Sequence, residues 1–343
     1  MRTRLLATAL FTLTATVGAA GTSALLAQES KPARPIISIG DYPAVNGLRI
    51  NFRDSDLQRV NGVNLTAWSP HEPASGTVRG LALGLPLTGA ADIDGIATGV
   101  FGVGASGHLR GITLGPIGAG AGGEISGVAV GGIGIGAGGN LNGIIIGGVG
   151  AGSGGDAAGL LVGGVGAGVG GNLRGIAFGG VGVGAGGNLR GFALGGVGVG
   201  AGGDLRGVFI GGVGAGAGGE LSGLALGGIG VGAGARIHGI AIAGVGVGAP
   251  RLAGGFAALA VGAEHASGVV LAPAVFKIER GGSFHGGAVS AVNYIRGSQT
   301  GITIGLVNYT RTLNGVQFGL INIVADATAH RVLPILNWGG GGK

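Results

Sequence analysis

The stretch GGNLRGFALGGVGVGAGGDLRGVFIGGVGAGAGGELSGLALGG, Gly186 to Gly228, says nearly the same thing three times. Glycine loses more backbone freedom on ordering than any other residue. A chain that spends 89 of its 343 residues on glycine, yet keeps their spacing, therefore has a geometric use for it. Working outward from this stretch, an anchor glycine recurs every 16 residues, at Gly95, Gly111, Gly127, Gly143, Gly159, Gly175, Gly191, Gly207, Gly223 and Gly239. A fixed period of this length is the mark of a repeat architecture.

Apolar columns follow each anchor. One residue after it stands a bulky group, from Ile96 through Phe192 to Ile240, and three after it another, such as Phe178, Leu194 or Ile242. The residue between them is usually alanine, which reads as a strand with the bulky residues on its packed face and the small ones outside. A further column stands six after the anchor (Phe101, Ile117, through Val197 to Val245) and another eight after it. The odd step from the third to the sixth position slips the side-chain parity, and it falls on a Gly-Gly pair in most repeats. The repeat unit is thus strand, glycine corner, short strand, wide glycine turn.

Identical spacing over ten units implies that each residue meets the same neighbours every time. A parallel β-solenoid of 16-residue rungs provides this, with each column a continuous ladder. The alternative is an up-and-down outer-membrane β-barrel with one strand per repeat, which the positive hydropathy favours. The parity slip, the lack of a 32-residue alternation and an aromatic content of 4% count against it. The expected fold is all-β.

The first residues, MRTRLLATALFTLTATVGAAGTSALLAQES, read as a secretory signal peptide over 1–27, with Arg2 and Arg4 ahead of an apolar run and small residues at Ala24 and Ala27. Its removal leaves 18 basic and 14 acidic residues, a charge of +4 that is too small and too scattered for a nucleic-acid partner. The chain has no cysteine, so it has no disulfide and no thiolate metal site. The expected compartment is the periplasm, outer membrane or cell surface of a bacterium.

Residues 28–77 carry two amphipathic segments, NGLRINF and NGVNLTAW, and read as an irregular β cap. The 16-residue array occupies 78–250. From 251 to 343 a different repeat and a terminal cap are expected, with Gly287, Gly301 and Gly315 spaced by 14 and Asn293, Asn308 and Asn322 ending the alternating stretches. The run GITIGLVNYTRTLNGVQFGLINIV resembles the Gly-apolar-x-apolar-Gly-apolar-apolar-Asn repeats of uncharacterised bacterial surface-repeat proteins of the spirochaete type. The GIAFGGVGVGAGG units are similar, more loosely, to the short repeats of trimeric autotransporter adhesin heads, which form β-rolls; no coiled-coil stalk is visible in the sequence. The resemblances imply a non-enzymatic, structural or adhesin-like surface protein, and neither brings functional residues with it.

Little in the sequence suggests chemistry. His71, His108, His238, His265, His285 and His330 show no metal-ligand spacing, and there is neither a GxSxG elbow nor a phosphate loop. EHASG (Glu264, His265) and SFHGG (Ser283, His285) set suggestive residues side by side, but strand neighbours face opposite ways. The GxGxxG at Gly214, Gly216 and Gly219 has no helix after it. No catalytic, cofactor or metal site is expected. The residue three before each anchor is always polar, as at Asp156, Asn172, Asn188 and Asp204, which fits a solvated turn. Just before the anchor, Arg174, Arg190 and Arg206 would stack as an edge ladder. That edge is a candidate site for anionic polysaccharide or lipopolysaccharide phosphates. Self-association through glycine and alanine faces is the other partner reading, and association with a membrane is left open.

Overall fold

The computed structural model describes residues 36–71, 73–329 and 331–340, so the expected signal peptide over 1–27 lies outside the described residues. Those residues contain strands and turns and no helix, so none of them offers a helical membrane span. The strands wind into a parallel β-solenoid. In the rung opened by Leu189, the long strand Leu189–Gly195 is followed by a corner at Gly196 and Val197, the short strand Gly198–Ala201 and a turn over Gly202–Asp204. Each long strand pairs in parallel with the long strand 16 residues away, Leu189 on Leu205 and Phe192 on Val208, and the short strands do likewise, Val199 on Ala215. Corners and turns are tied rung to rung as well: the Val197 N–H donates to Val181 O at 2.6 Å and the Gly203 N–H to Gly187 O at 2.9 Å. Almost every backbone donor therefore has a partner in the adjacent turn, as a buried backbone requires.

The barrel alternative does not stand. Every rung-to-rung pairing along the 16-residue array is parallel and in register, and the Val292–Ile304 pairing with Val307–Phe318 stays parallel across a shift between Ile295 and Ser298, whereas a barrel of one strand per repeat would alternate direction. The single antiparallel pairing among the described residues lies at the end, where Val332–Gly339 folds back along Val307–Val324 and covers the last open edge.

The anchor glycines form the spine. Their column holds 18 residues from Gly47 to Gly315, all with positive φ. At Gly191 φ is 122°, and an added Cβ would collide with the carbonyl of Gly175 in the rung below, so both conformation and space demand glycine. The column extends past the regular array at both ends. Strands Ala44–Asn51, Arg59–Thr66 and Thr77–Gly84 place Gly47, Gly62 and Gly80 in it. Towards the C terminus it passes through Gly254, Gly268, Gly286, Gly301 and Gly315, so the column takes Gly286 rather than the neighbouring Gly287 that a spacing of 14 picks out.

The inside and outside of the long strand are the reverse of the sequence expectation. Ala193 is completely buried, whereas Leu194 is 37% exposed, and the same holds along the array: Ala177 is buried between Ile176 and Phe178, which are outside. The buried columns stand two before the anchor (Leu173, Leu189, Leu205), two after it and eight after it. The parity slip at Gly-Gly is present, but the columns it joins are the outer ones, since Val197 at the corner is also half-exposed. The physical reason is the narrowness of the coil. Across its interior, the position two after the anchor trades size with the position eight after it. Where the first is Ala97, Ala129, Ala177, Ala193, Ala225 or Ala241, the second is Val103, Ile135, Val183, Val199, Val231 or Val247; where the first is Thr113, Ile145, Leu161 or Phe209, the second is Ala119, Ala151, Ala167 or Ala215. Close-packed interiors hold their total volume in this way.

Both ends carry polar interiors. Near the start, Arg49 is fully buried and paired with Asp41 and Asp54, with Asn51, Asn64 and Thr66 completing the network. In the last rungs Asn293 donates to Asn308 and Asn308 to Asn322, each at 2.7 Å, an internal amide ladder that takes the place of an aliphatic column.

Candidate functional site

The arginine edge forms as a ladder. Arg174 lies in register with Arg190, and Arg190 with Arg206, all three exposed on the outer side of the long strands. Arg206 is bonded to Asp204 at 2.9 Å, which neutralises the upper end. Among the described residues Arg174 and Arg190 have no ion-pair partner, which leaves their guanidinium groups available to an anion. Further down the column, Arg79 and Arg110 both face Asp94, at 3.9 and 3.1 Å. The edge thus offers two free cations about 5 Å apart, the rung spacing.

The polar column three before the anchor has a structural use. The Asn188 side-chain oxygen accepts the backbone N–H of Asp204 at 2.8 Å, the Asn172 oxygen that of Asn188 at 2.9 Å, and the Asp156 oxygen that of Asn172 at 2.7 Å. The same link joins Asp92 to His108, His108 to Glu124, Asn140 to Asp156 and Asp204 to Glu220. Short polar side chains are selected here because each one satisfies a turn donor in the next rung. His108 is one of them, accepting through Nδ1.

The structure joins the two His-containing segments that the sequence left separate. His265 Nδ1 lies 2.9 Å from Ser283 Oγ on the neighbouring rung. The contact is exposed, and among the described residues no carboxylate is hydrogen-bonded to the imidazole to orient it as a nucleophilic serine requires. His238 and His285 are exposed singly, the backbone N–H of His71 donates to Asp54 O at 2.8 Å, and His330 lies outside the described residues. Among the described residues no three His, Asp or Glu side chains gather in metal-ligand geometry. Gly214, Gly216 and Gly219 belong to a short strand and its turn.

The buried Asp54 carboxyl is held away from its ordinary behaviour by its surroundings. Burial acts to raise the Asp54 carboxyl, but hydrogen bonds from Arg49, Thr66 and Asn51, with the Arg49 charge, outweigh it and hold the group below the ordinary aspartate value. The cluster is enclosed and internally satisfied, and its task is to seat the loop after Asn51.

The feature that sequence reasoning misplaced is the outer apolar surface. Ile96, Ile112, Ile144, Ile176 and Ile240 are 42–50% exposed in one ladder, Leu114, Phe178, Leu194 and Ile242 form a second, and the corner column from Phe101 to Val245 forms a third. Beyond the corner, the short strands turn bare glycines outward, and at one end Pro70 and Ala74 of a loop lie over them, with the Ser106 hydroxyl donating to Ala74 O at 2.7 Å. Comparison of the chain with family models, with curated proteins and with solved structures finds no match.

Proposed function

We propose that the protein is an exported, non-enzymatic structural element of a bacterial cell surface or periplasm, adhesin-like in use. The observation that carries this reading is the continuous anchor column of 18 glycines. At about 4.8 Å per rung it makes a stiff rod about 80 Å long, whose repeated side chains present one chemistry many times over. A rod of this kind suits spacing, display or many weak contacts. The open setting of the His265–Ser283 pair supports a role without catalysis. Cell fractionation combined with N-terminal sequencing tests the reading. A processed chain beginning near residue 28 in the periplasmic, outer-membrane or surface fraction is expected; an unprocessed chain confined to the cytosol would contradict it.

The two free guanidinium groups of Arg174 and Arg190 favour a ligand reading for the same rod, namely weak binding of anionic polysaccharide or lipopolysaccharide phosphates along this edge. Arg174→Gln with Arg190→Gln is expected to abolish retention on an anionic polysaccharide column at low salt. Unchanged retention would retire it.

A further inference from the structure

Outward bulky side chains are unusual on this scale. Soluble monomers rarely expose contiguous apolar patches beyond a few hundred Å². Here the ladders one and three after the anchor run without a charged residue from Ile96 to Ile242. Ten rungs at about 4.8 Å and a strand width of about 16–20 Å give a stripe of roughly 800–1,000 Å². Two such stripes placed face to face would bury close to 1,600–2,000 Å², the size of a stable protein interface. The stripe also has interface anatomy: an apolar middle beside a polar rim, here the column of Ser126, Asn142, Arg174, Arg190 and Ser222.

We propose that this stripe is a dimer interface, covered by the same stripe of a second copy with the two coils running parallel. Shape favours a second copy over other occupants. The ladders repeat at the rung spacing, and only another coil of the same period can set its own ladders between them over the full length. Sheets stacked in this way lie about 10 Å apart. Charge selects the direction. A twofold axis along the coil puts the two Arg174–Arg190 edges on opposite sides of the interface, about 16–20 Å apart and beyond the Debye length of about 8 Å at physiological salt. A twofold axis across the coil would put both edges on one side, guanidinium beside guanidinium. An anionic lipid surface is the competing occupant. Its attraction would rest on two free arginines, and they adjoin only two of the ten rungs.

The proposal goes beyond the exported-rod reading and is independent of it, because assembly is measured on purified protein and export in cells. Sedimentation of the chain purified from its producing cells is expected to show a dimer. Ile144→Lys, Ile176→Lys and Ile240→Lys together are expected to raise the dimer dissociation constant at least about 100-fold. The three sites are half-exposed, so circular dichroism should remain that of the native coil; Ile→Thr at the same sites serves if the lysine variant does not fold. A native chain that stays monomeric at about 100 µM, or a dimer indifferent to these changes, would overturn the proposal. So would binding of monomers to phosphatidylcholine–phosphatidylglycerol vesicles that Arg174→Gln with Arg190→Gln abolishes. Direction is read from spin labels, because the chain has no cysteine of its own. Ser126→Cys and Ala158→Cys stand two rungs apart in one column. Equal label-to-label distances at the two sites are expected; distances differing by up to about 20 Å would mean antiparallel coils and overturn the parallel pairing.

Discussion

Phe209 and Ala215, six residues apart in one rung, are both buried and together fill the space that Ala193 and Val199 fill in the rung before. The relation predicts a compensating pair. Phe209→Ala should empty a cavity and cost about 3–5 kcal/mol, and Ala215→Val beside the intact phenyl ring should cost about 1–3 kcal/mol by overpacking. The double variant recreates the Ala–Val pair of the neighbouring rungs and should be more stable than Phe209→Ala alone, as measured by denaturant midpoint. Simple additivity of the two losses would show that the positions do not share one space.

Two glycines in adjoining rungs should differ sharply in their tolerance of the same change. Gly191→Ala forces a side chain into φ of 122° and against the Gly175 carbonyl, a loss of at least about 2 kcal/mol. Gly184→Ala places its Cβ in open space on the outer side of a short strand and should lie within about 0.5 kcal/mol of the parent. Thermal melts of both variants make the comparison.

Asn188→Ala removes the acceptor of the Asp204 N–H and breaks the amide link to Asn172. A loss of about 1–2 kcal/mol is expected. Asn188→Asp keeps the acceptor and should recover most of it. Equal losses in the two variants would assign the column's role to something other than turn capping.

Asp54 makes the N-terminal rungs acid-sensitive. Its folded carboxyl sits below the ordinary value of 3.8, so the folded state binds its proton less readily than the unfolded chain does. The stabilisation is fully present above pH 3.8 and is lost as pH falls from there through the depressed value. Asp54→Asn should remove this part of the acid dependence. Asp54→Ala, which leaves buried Arg49 with Asp41 as its one acidic partner, should cost about 3–5 kcal/mol at neutral pH. Amide exchange in Ala44–Thr66, followed from pH 5 down to about pH 3, is the measurement; protection that does not change in the parent chain would contradict it.

Much of the architecture is legible in the sequence, because the anchor glycine is required twice over, by φ and by space, and so keeps its place in every regular rung. That regularity gives the rung length, the parallel register and the corner at Gly-Gly. The face assignment is harder to read. Large apolar residues ordinarily mark the buried side, and alanines such as Ala193 ordinarily look like a tolerant exterior. In a coil this narrow the inner column has room for little more than alanine, and Phe192 and Leu194 are left outside. The reciprocal sizes of Thr113 with Ala119, and of Leu161 with Ala167, carried the answer, since only residues sharing a closed space vary together in this way. The Arg49 network and the His265–Ser283 contact were not legible, because each joins residues brought together by loops or rungs of irregular length.

The central claim is that like stacks on like in a parallel coil, with bulky columns outside. Engineered disulfides test it most directly, since the chain brings no cysteine of its own. Ile176 and Phe192 are register partners on the same outer face, whereas Ile176 and Ala193 differ by one residue and point to opposite faces. Ile176→Cys with Phe192→Cys should form a bridge under mild oxidation without loss of structure, because Cα atoms of adjacent strands lie within the roughly 4.4–6.8 Å that a disulfide spans. Ile176→Cys with Ala193→Cys should not. Efficient bridging of the second pair and failure of the first would contradict the account.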